Sequence, residues 1–149
     1  MEIARWMKHP VVTAKPLDTV RHARELMAAH RVNQLPVVRD GRLVGIVTDR
    51  DVRDASPSVF EAATRRGPEN EPSATVPVED VMTANVLTLP PTASIADAAR
   101  LMRRERIGAL PIVDRGRLVG LLARSDVLDA FAALVDGTDA AAARNGTPA

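Results

Sequence analysis

Residues 35–45 read LPVVRDGRLVG, and residues 110–120 read LPIVDRGRLVG. Matching residues are 75 positions apart, and this register continues without a gap from Met7/Met82 to Val52/Val127. A long duplication in one register indicates two copies of one supersecondary unit. Two copies, rather than many, favour a pair of repeats related by a pseudo-twofold axis over a solenoid.

Each copy has the pattern of a β-α-β-β-α unit. In the first copy, residues 11–13 are rich in β-branched residues, and Thr19 precedes an amphipathic helix as its N-cap. Residues 35–38 and 43–47 then form a hairpin around Asp40-Gly41, and a second helix begins near Asp49. The second copy repeats these features at residues 86–88, Ser94, residues 110–113, residues 118–122 and Ser125.

The composition, 46% hydrophobic and 26% charged, is that of a folded protein. One copy alone would struggle to bury a core, so we expect an α/β (α+β) fold in which both repeats pack into one disc-like module. The expected boundaries are repeat one at 1–56, a proline-rich linker at 57–77, repeat two at 78–135 and a disordered tail at 136–149. The linker includes a possible helix around residues 59–65.

Charge and composition exclude several classes of function. A formal net charge of +1 argues against nucleic-acid binding, and the chain lacks both cysteine and an apolar run of membrane-spanning length. His22 and His30 lie about 12 Å apart along one helix, too far to bind one metal ion. With no signal-peptide pattern at residues 1–10, we expect a cytoplasmic protein without metal, membrane or nucleic-acid partner.

The segment Gly45-Ile46-Val47-Thr48-Asp49-Arg50-Asp51 joins the hairpin to the second helix. It resembles the nucleotide-binding signature of CBS domains, the family named after cystathionine β-synthase: Gly, two apolar residues, Thr or Ser, two variable residues, then Asp. The resemblance covers both repeats. The chain is similar to small stand-alone bacterial CBS pairs of the acetoin-utilisation type. It implies a Bateman module with clefts between its repeats that bind AMP, ADP, ATP, S-adenosylmethionine or dinucleotides. It also implies a homodimer.

The resemblance assigns Asp51 to the two ribose hydroxyls, because a carboxylate accepts strong charge-assisted hydrogen bonds. Thr48 would add a hydroxyl and cap the helix, and backbone groups of residues 12 and 13 would meet the adenine edge. The residues expected at the first site are Val12, Thr13, Val32, Asn33, Ile46, Thr48, Arg50 and Asp51.

The second copy departs from the signature, because Ala123 replaces the threonine. Ser125, two residues further on, is the candidate to supply a hydroxyl in its place. Its expected site residues are Leu87, Thr88, Ile107, Gly108, Leu121, Ser125 and Asp126. Relatives that bind phosphate well often carry His and Arg just before the Leu-Pro strand. These positions are uncharged here, so phosphate binding would depend on Arg50, Arg53, Lys8 or His9.

We therefore expect a non-catalytic sensor that needs no cofactor, binds an adenosyl effector and signals to an effector protein on another chain. One alternative is a ligand-free dimerisation or scaffold module. The other is an enzyme in which Asp49 and Asp51 act as a carboxylate pair on a nucleotide. No recurrent nucleophile-base or metal-ligand constellation supports the enzyme.

Overall fold

The computed structural model describes residues 1–55 and 74–137. The helix expected around residues 59–65, most of the expected linker and nearly all of the expected tail lie outside these residues. In chain order the helices and strands are α1 (Val20–His30), β1 (Gln34–Arg39), β2 (Arg42–Thr48), α2 (Asp49–Ala55), α3 (Ile95–Glu105), β3 (Ala109–Asp114), β4 (Arg117–Ala123) and α4 (Arg124–Asp136). Short 3-10 turns span Ile3–Arg5 and Val78–Asp80.

The chain forms two compact units whose membership crosses the sequence repeats. One unit, here called the Asp51 unit, is Val12–Val86; the other, the Asp126 unit, combines Met1–Val11 with Leu87–Ala149. The 3-10 turn before each repeat therefore packs in the unit of the other repeat. Ile3 donates its N–H to the Ala93 carbonyl at 2.9 Å in the Asp126 unit.

Each unit is built on one antiparallel hairpin, as predicted. The turn residues Asp40 and Gly41 have φ of 51° and 81°, the pair of positive values that a tight hairpin turn requires. Arg115 and Gly116 repeat this geometry at 52° and 80°. One residue bulges in β2 and one in β4, at the register shifts opposite Val37/Val38 and Ile112/Val113.

The extended segment before each first helix makes a single bridge rather than a full strand. Ala14 donates its N–H to the Pro36 carbonyl and accepts from the Val38 N–H, both at 2.9 Å. The next ladder bonds on either side would need N–H groups on Pro16 and Pro36, and proline has none. The Asp126 unit repeats this arrangement at Leu89, Pro91 and Pro111. The predicted mixed fold is thus confirmed, with a first strand reduced to one residue per repeat.

The helices begin where the sequence predicts. The hydroxyls of Thr19 and Ser94 accept the N–H groups of His22 and Asp97 at 3.1 and 3.0 Å. Each unit buries its own apolar cluster of helix and hairpin residues. Trp6, only 2% exposed, lies within the cluster of the Asp126 unit.

Candidate functional site

Thr48 and Asp51 hold each other at the start of α2. The Thr48 hydroxyl accepts the Asp51 N–H at 3.2 Å, and Oδ2 of Asp51 accepts the Thr48 N–H at 2.9 Å. This reciprocal capping box fixes a half-buried carboxylate. Within the described residues, Oδ1 of Asp51 has no hydrogen-bond or ion-pair partner, and the Thr48 hydroxyl retains its proton for donation.

Several expected site residues lie on or next to β1, β2 and α2 of the Asp51 unit. The Asn33 carbonyl accepts the N–H of Asp49 at 2.8 Å, which ties the residue before β1 to the first residue of α2. Ile46 lies on β2 opposite Pro36, and the backbone of residue 14 runs along the other side of β1. Val32 is half-buried against the apolar cluster, and Arg50 is exposed on the first turn of α2.

Val12 and Thr13 are half-buried, and among the described residues their backbone groups make no backbone hydrogen bond. Pro36 accounts for the Val12 carbonyl, because a residue with an N–H at that position would pair with it. Neighbouring strands are about 4.8 Å apart, so Val12 and Ile46, on either side of β1, are separated by roughly 10 Å. A nucleoside can span this distance.

The equivalent carboxylate, Asp126, has a different environment. Its Oδ2 accepts the N–H of Ala123 at 2.8 Å, but the return bond is absent because alanine has no side-chain acceptor. Its Oδ1 lies 3.5 Å from Nζ of Lys8, and the Asp126 side chain is only 5% exposed against 59% for Lys8. Ser125 is exposed in the first turn of α4, whose N-cap residue is Ala123.

Lys8 reaches Asp126 because the chain start forms a bridge with β4. The backbones of Lys8 and Leu121 exchange hydrogen bonds of 2.9 and 3.0 Å. In the Asp51 unit, Thr83 makes the same pair of bonds with Ile46, at 2.9 and 3.0 Å. Thr83 therefore occupies the position of Lys8 but carries no charge.

The other expected residues of the second site lie at the same end of their hairpin. Gly108 accepts the N–H of Arg124 at 3.0 Å, and a Cβ built on Gly108 would lie 3.6 Å from the Arg124 guanidinium. This cation was not among the residues expected at the site. Ile107 is half-buried against the apolar cluster, whereas Leu87 and Thr88 are exposed.

Other kinds of site find little support in the part of the chain that the structure describes. No group of three or more His, Asp or Glu side chains there is arranged to hold a metal ion. No helix in residues 1–55 or 74–137 combines the length and apolar character needed to cross a membrane.

The family model for the CBS domain matches residues 2–58 and 78–133. The CBS domain-containing protein YhcV of Bacillus subtilis is 36% identical over 121 residues, which cover 81% of this chain and 79% of YhcV. The inosine-5'-monophosphate dehydrogenase of Korarchaeum cryptofilum is also 36% identical, over 118 residues, but these are only 21% of that enzyme.

Solved structures with similar folds include proteins bound to adenosine compounds. AcuB, an acetoin utilization protein of Vibrio cholerae, superimposes with a TM-score of 0.74 at 26% identity, covering 91% of this chain and 93% of AcuB. CBSX2 in complex with AMP gives 0.73 at 29% identity, with coverages of 90% and 98%.

The CBS domain pair of MJ0100, in complex with 5'-methylthioadenosine and S-adenosyl-L-methionine, gives a TM-score of 0.72 at 25% identity, with coverages of 90% and 98%. Two family-model matches that span most of the chain, and a relative of similar length at 36% identity, show that this chain belongs to the CBS domain family.

Proposed function

We propose that this protein is a regulatory module that binds an adenosine-containing ligand and passes the signal to a partner protein. The observation that carries the proposal is the Asp51 carboxylate, which the capping box with Thr48 holds in place while one oxygen keeps no partner among the described residues. A ribose presents two adjacent hydroxyl donors to such an acceptor, and hydrogen bonds to a charged acceptor are strong. Relatives of known structure bind AMP, 5'-methylthioadenosine or S-adenosylmethionine.

The adenine would lie toward Val12. The unpaired Val12 carbonyl is an acceptor for the exocyclic amino group, and the half-buried Val32 and Ile46 offer aliphatic surface to the ring faces. The chain has 2% aromatic residues, so aliphatic contact replaces ring stacking. Arg50, exposed on the first turn of α2, would approach the ligand from the solvent side.

The proposed mechanism is a shift between conformations rather than catalysis. The adenosyl ligand acts as an effector, and it transmits a signal only if it binds one conformation better than another. A partner protein on another chain would then recognise the favoured conformation. The family model that matches this chain describes a regulatory type of domain. The alignment with the dehydrogenase covers only about a fifth of that enzyme, so no catalytic role is carried over from it. We place this function in the cytoplasm.

A homodimer is part of the proposal, and α4 offers a surface for it. Leu128, Phe131, Leu134 and Val135 are each 63–67% exposed along this helix. Contiguous apolar patches of several hundred Å² on a soluble protein are typical of interaction sites. A helix face of this kind can pair with the same face of a second copy across a twofold axis, because every apolar residue then meets an apolar residue.

Ligand binding is tested by thermal shift with adenosine, AMP, ATP and S-adenosylmethionine on wild type, Asp51→Ala and Asp54→Ala. Asp54 is an exposed aspartate of the same helix and serves as the matched control. At a ligand concentration 100 times Kd, binding adds about 2.7 kcal/mol to stability, which raises Tm by several degrees. We expect at least one ligand whose shift is lost in Asp51→Ala and kept in Asp54→Ala.

If no adenosyl compound stabilises the folded wild type, the sensor proposal is wrong and the ligand-free scaffold takes its place. Hydrolysis of a nucleotide that disappears in Asp51→Ala would instead support the enzyme.

Dimerisation is tested separately by analytical ultracentrifugation. Wild type should sediment at twice the 16.0 kDa chain mass, and Phe131→Glu at the mass of one chain. Ala29→Glu places the same new charge on an exposed position of α1 and should stay dimeric. A monomeric wild type would show that a different partner, or none, covers the α4 face.

A further inference from the structure

The two units carry different charges at equivalent positions around their carboxylates. Lys8 and Thr83 each form a bridge with the second hairpin strand of their unit. Arg124 and Asp49 are each the first residue of the helix that follows this strand. At each of these positions the cation belongs to the Asp126 unit. The carboxylate itself is common to both units, so the units differ in the charges around it.

Asp126 can receive a ribose only through an exchange of partners. Its side chain is 95% buried, one oxygen accepts the Ala123 N–H, and the other lies 3.5 Å from the Lys8 ammonium. An incoming diol must displace this ammonium. A ligand without negative charge leaves Lys8 with no anion, whereas a phosphate on the same ligand supplies one. Four methylenes link the Lys8 ammonium to the backbone, so the ammonium can move from Asp126 to the ligand phosphate.

Arg124 adds a second cation beside the same site. Its guanidinium lies over Gly108, and its backbone N–H donates to the Gly108 carbonyl. A guanidinium binds phosphate oxygens in pairs. Lys8 and Arg124 against Asp126 leave one positive charge around the site.

The Asp51 unit lacks this excess of positive charge. Asp49 and Asp51 are both acidic, Arg50 is the cation of the same turn, and Thr83 is neutral. Arg53 lies 3.9 Å from Asp49 and is already engaged with it. Asp49 and Asp51 against Arg50 and Arg53 leave no net charge, so a phosphate gains less there than beside Lys8 and Arg124. No cation has to leave Asp51.

We propose that the two sites divide their ligands by charge. The Asp126 unit binds nucleoside phosphates, with Lys8 and Arg124 as the residues that determine specificity, and the Asp51 unit binds adenosyl ligands without negative charge. This inference rests on the proposed function, because it assigns ligand classes to the same two carboxylate sites.

The test uses isothermal titration with AMP and adenosine, which share the ribose diol and differ by the phosphate. Asp51→Ala leaves the Asp126 site, and Asp126→Ala leaves the Asp51 site. At fixed ionic strength, the ratio of AMP to adenosine affinity should be at least about tenfold higher in Asp51→Ala than in Asp126→Ala, given the strength of charge-assisted bonds. Adding Lys8→Thr to Asp51→Ala should remove most of this preference.

Because Lys8→Thr leaves a buried carboxylate without its cation, a second substitution keeps the test decisive. Thr83→Lys, at an exposed position, should raise the AMP preference of the Asp126→Ala protein. Equal ratios in the two single variants, with no response to Lys8→Thr or Thr83→Lys, overturn the division by charge but leave the nucleotide site standing. Failure of wild type to bind either compound also overturns the division by charge, and failure to bind ATP and S-adenosylmethionine as well overturns the proposed function itself.

Discussion

Replacing Thr48 by alanine gives the Asp51 unit the residue that the Asp126 unit has at Ala123. The structure shows what is lost: one hydroxyl that accepts the Asp51 N–H at 3.2 Å, while the bond from the Thr48 N–H to Asp51 remains. Removing a threonine N-cap costs about 0.5–2 kcal/mol, and retention of the second bond points to about 1 kcal/mol. For a protein of this size, that lowers Tm by about 2–4 °C.

The reverse substitution is the matched test. Ala123 has an extended backbone, with φ −100° and ψ 166°, and Asp126 already accepts its N–H. Ala123→Thr therefore completes the capping box and should stabilise the protein by about 1 kcal/mol. The two caps share no hydrogen-bond partner, so the double variant should be close to wild type.

The assay is urea unfolding followed by far-ultraviolet circular dichroism, with midpoints compared at constant slope. A Thr48→Ala variant as stable as wild type, or an Ala123→Thr variant less stable than wild type, would refute this account of how the carboxylates are held.

Two further pairs of variants compare the units. Gly45→Ala should lower the free energy of unfolding by about 1–3 kcal/mol, because its Cβ would lie 2.9 Å from a backbone carbonyl oxygen. Gly120→Ala should lower it less in the same urea assay, because the nearest contacts of its Cβ are all with a methionine side chain. Pro36→Ala supplies an N–H for the Val12 carbonyl and should weaken adenosine binding about fivefold, the value of one neutral hydrogen bond. Pro111→Ala should leave that affinity unchanged in titration calorimetry.

The hairpins and helix starts could be predicted from sequence because their signals are local. An Asp-Gly pair between two apolar runs specifies its own turn, and a threonine or serine before a periodic apolar segment specifies its own cap. The turn at Asp40 and the caps at Thr19 and Ser94 formed as predicted.

The features that were missed depend on residues far apart in the chain. The duplication already pairs Lys8 with Thr83 and Arg124 with Asp49. It does not show that residues 1–11 pack in the unit of the second repeat, and only that packing brings Lys8 to Asp126. The first strand was predicted at residues 11–13 from β propensity, whereas only residue 14 bridges β1, because proline blocks the ladder hydrogen bonds on either side.

The central claim is that the Asp51 carboxylate recognises the ribose diol. It is tested most directly by titrating adenosine and 2',3'-dideoxyadenosine into Asp126→Ala, which leaves the Asp51 site, and into the double variant Asp51→Ala/Asp126→Ala. The account predicts that loss of the diol weakens binding to Asp126→Ala by about tenfold or more, with little effect on the double variant, because the diol then has no carboxylate to meet at either site. The same loss in both proteins would contradict it, since the hydroxyls would then be recognised elsewhere.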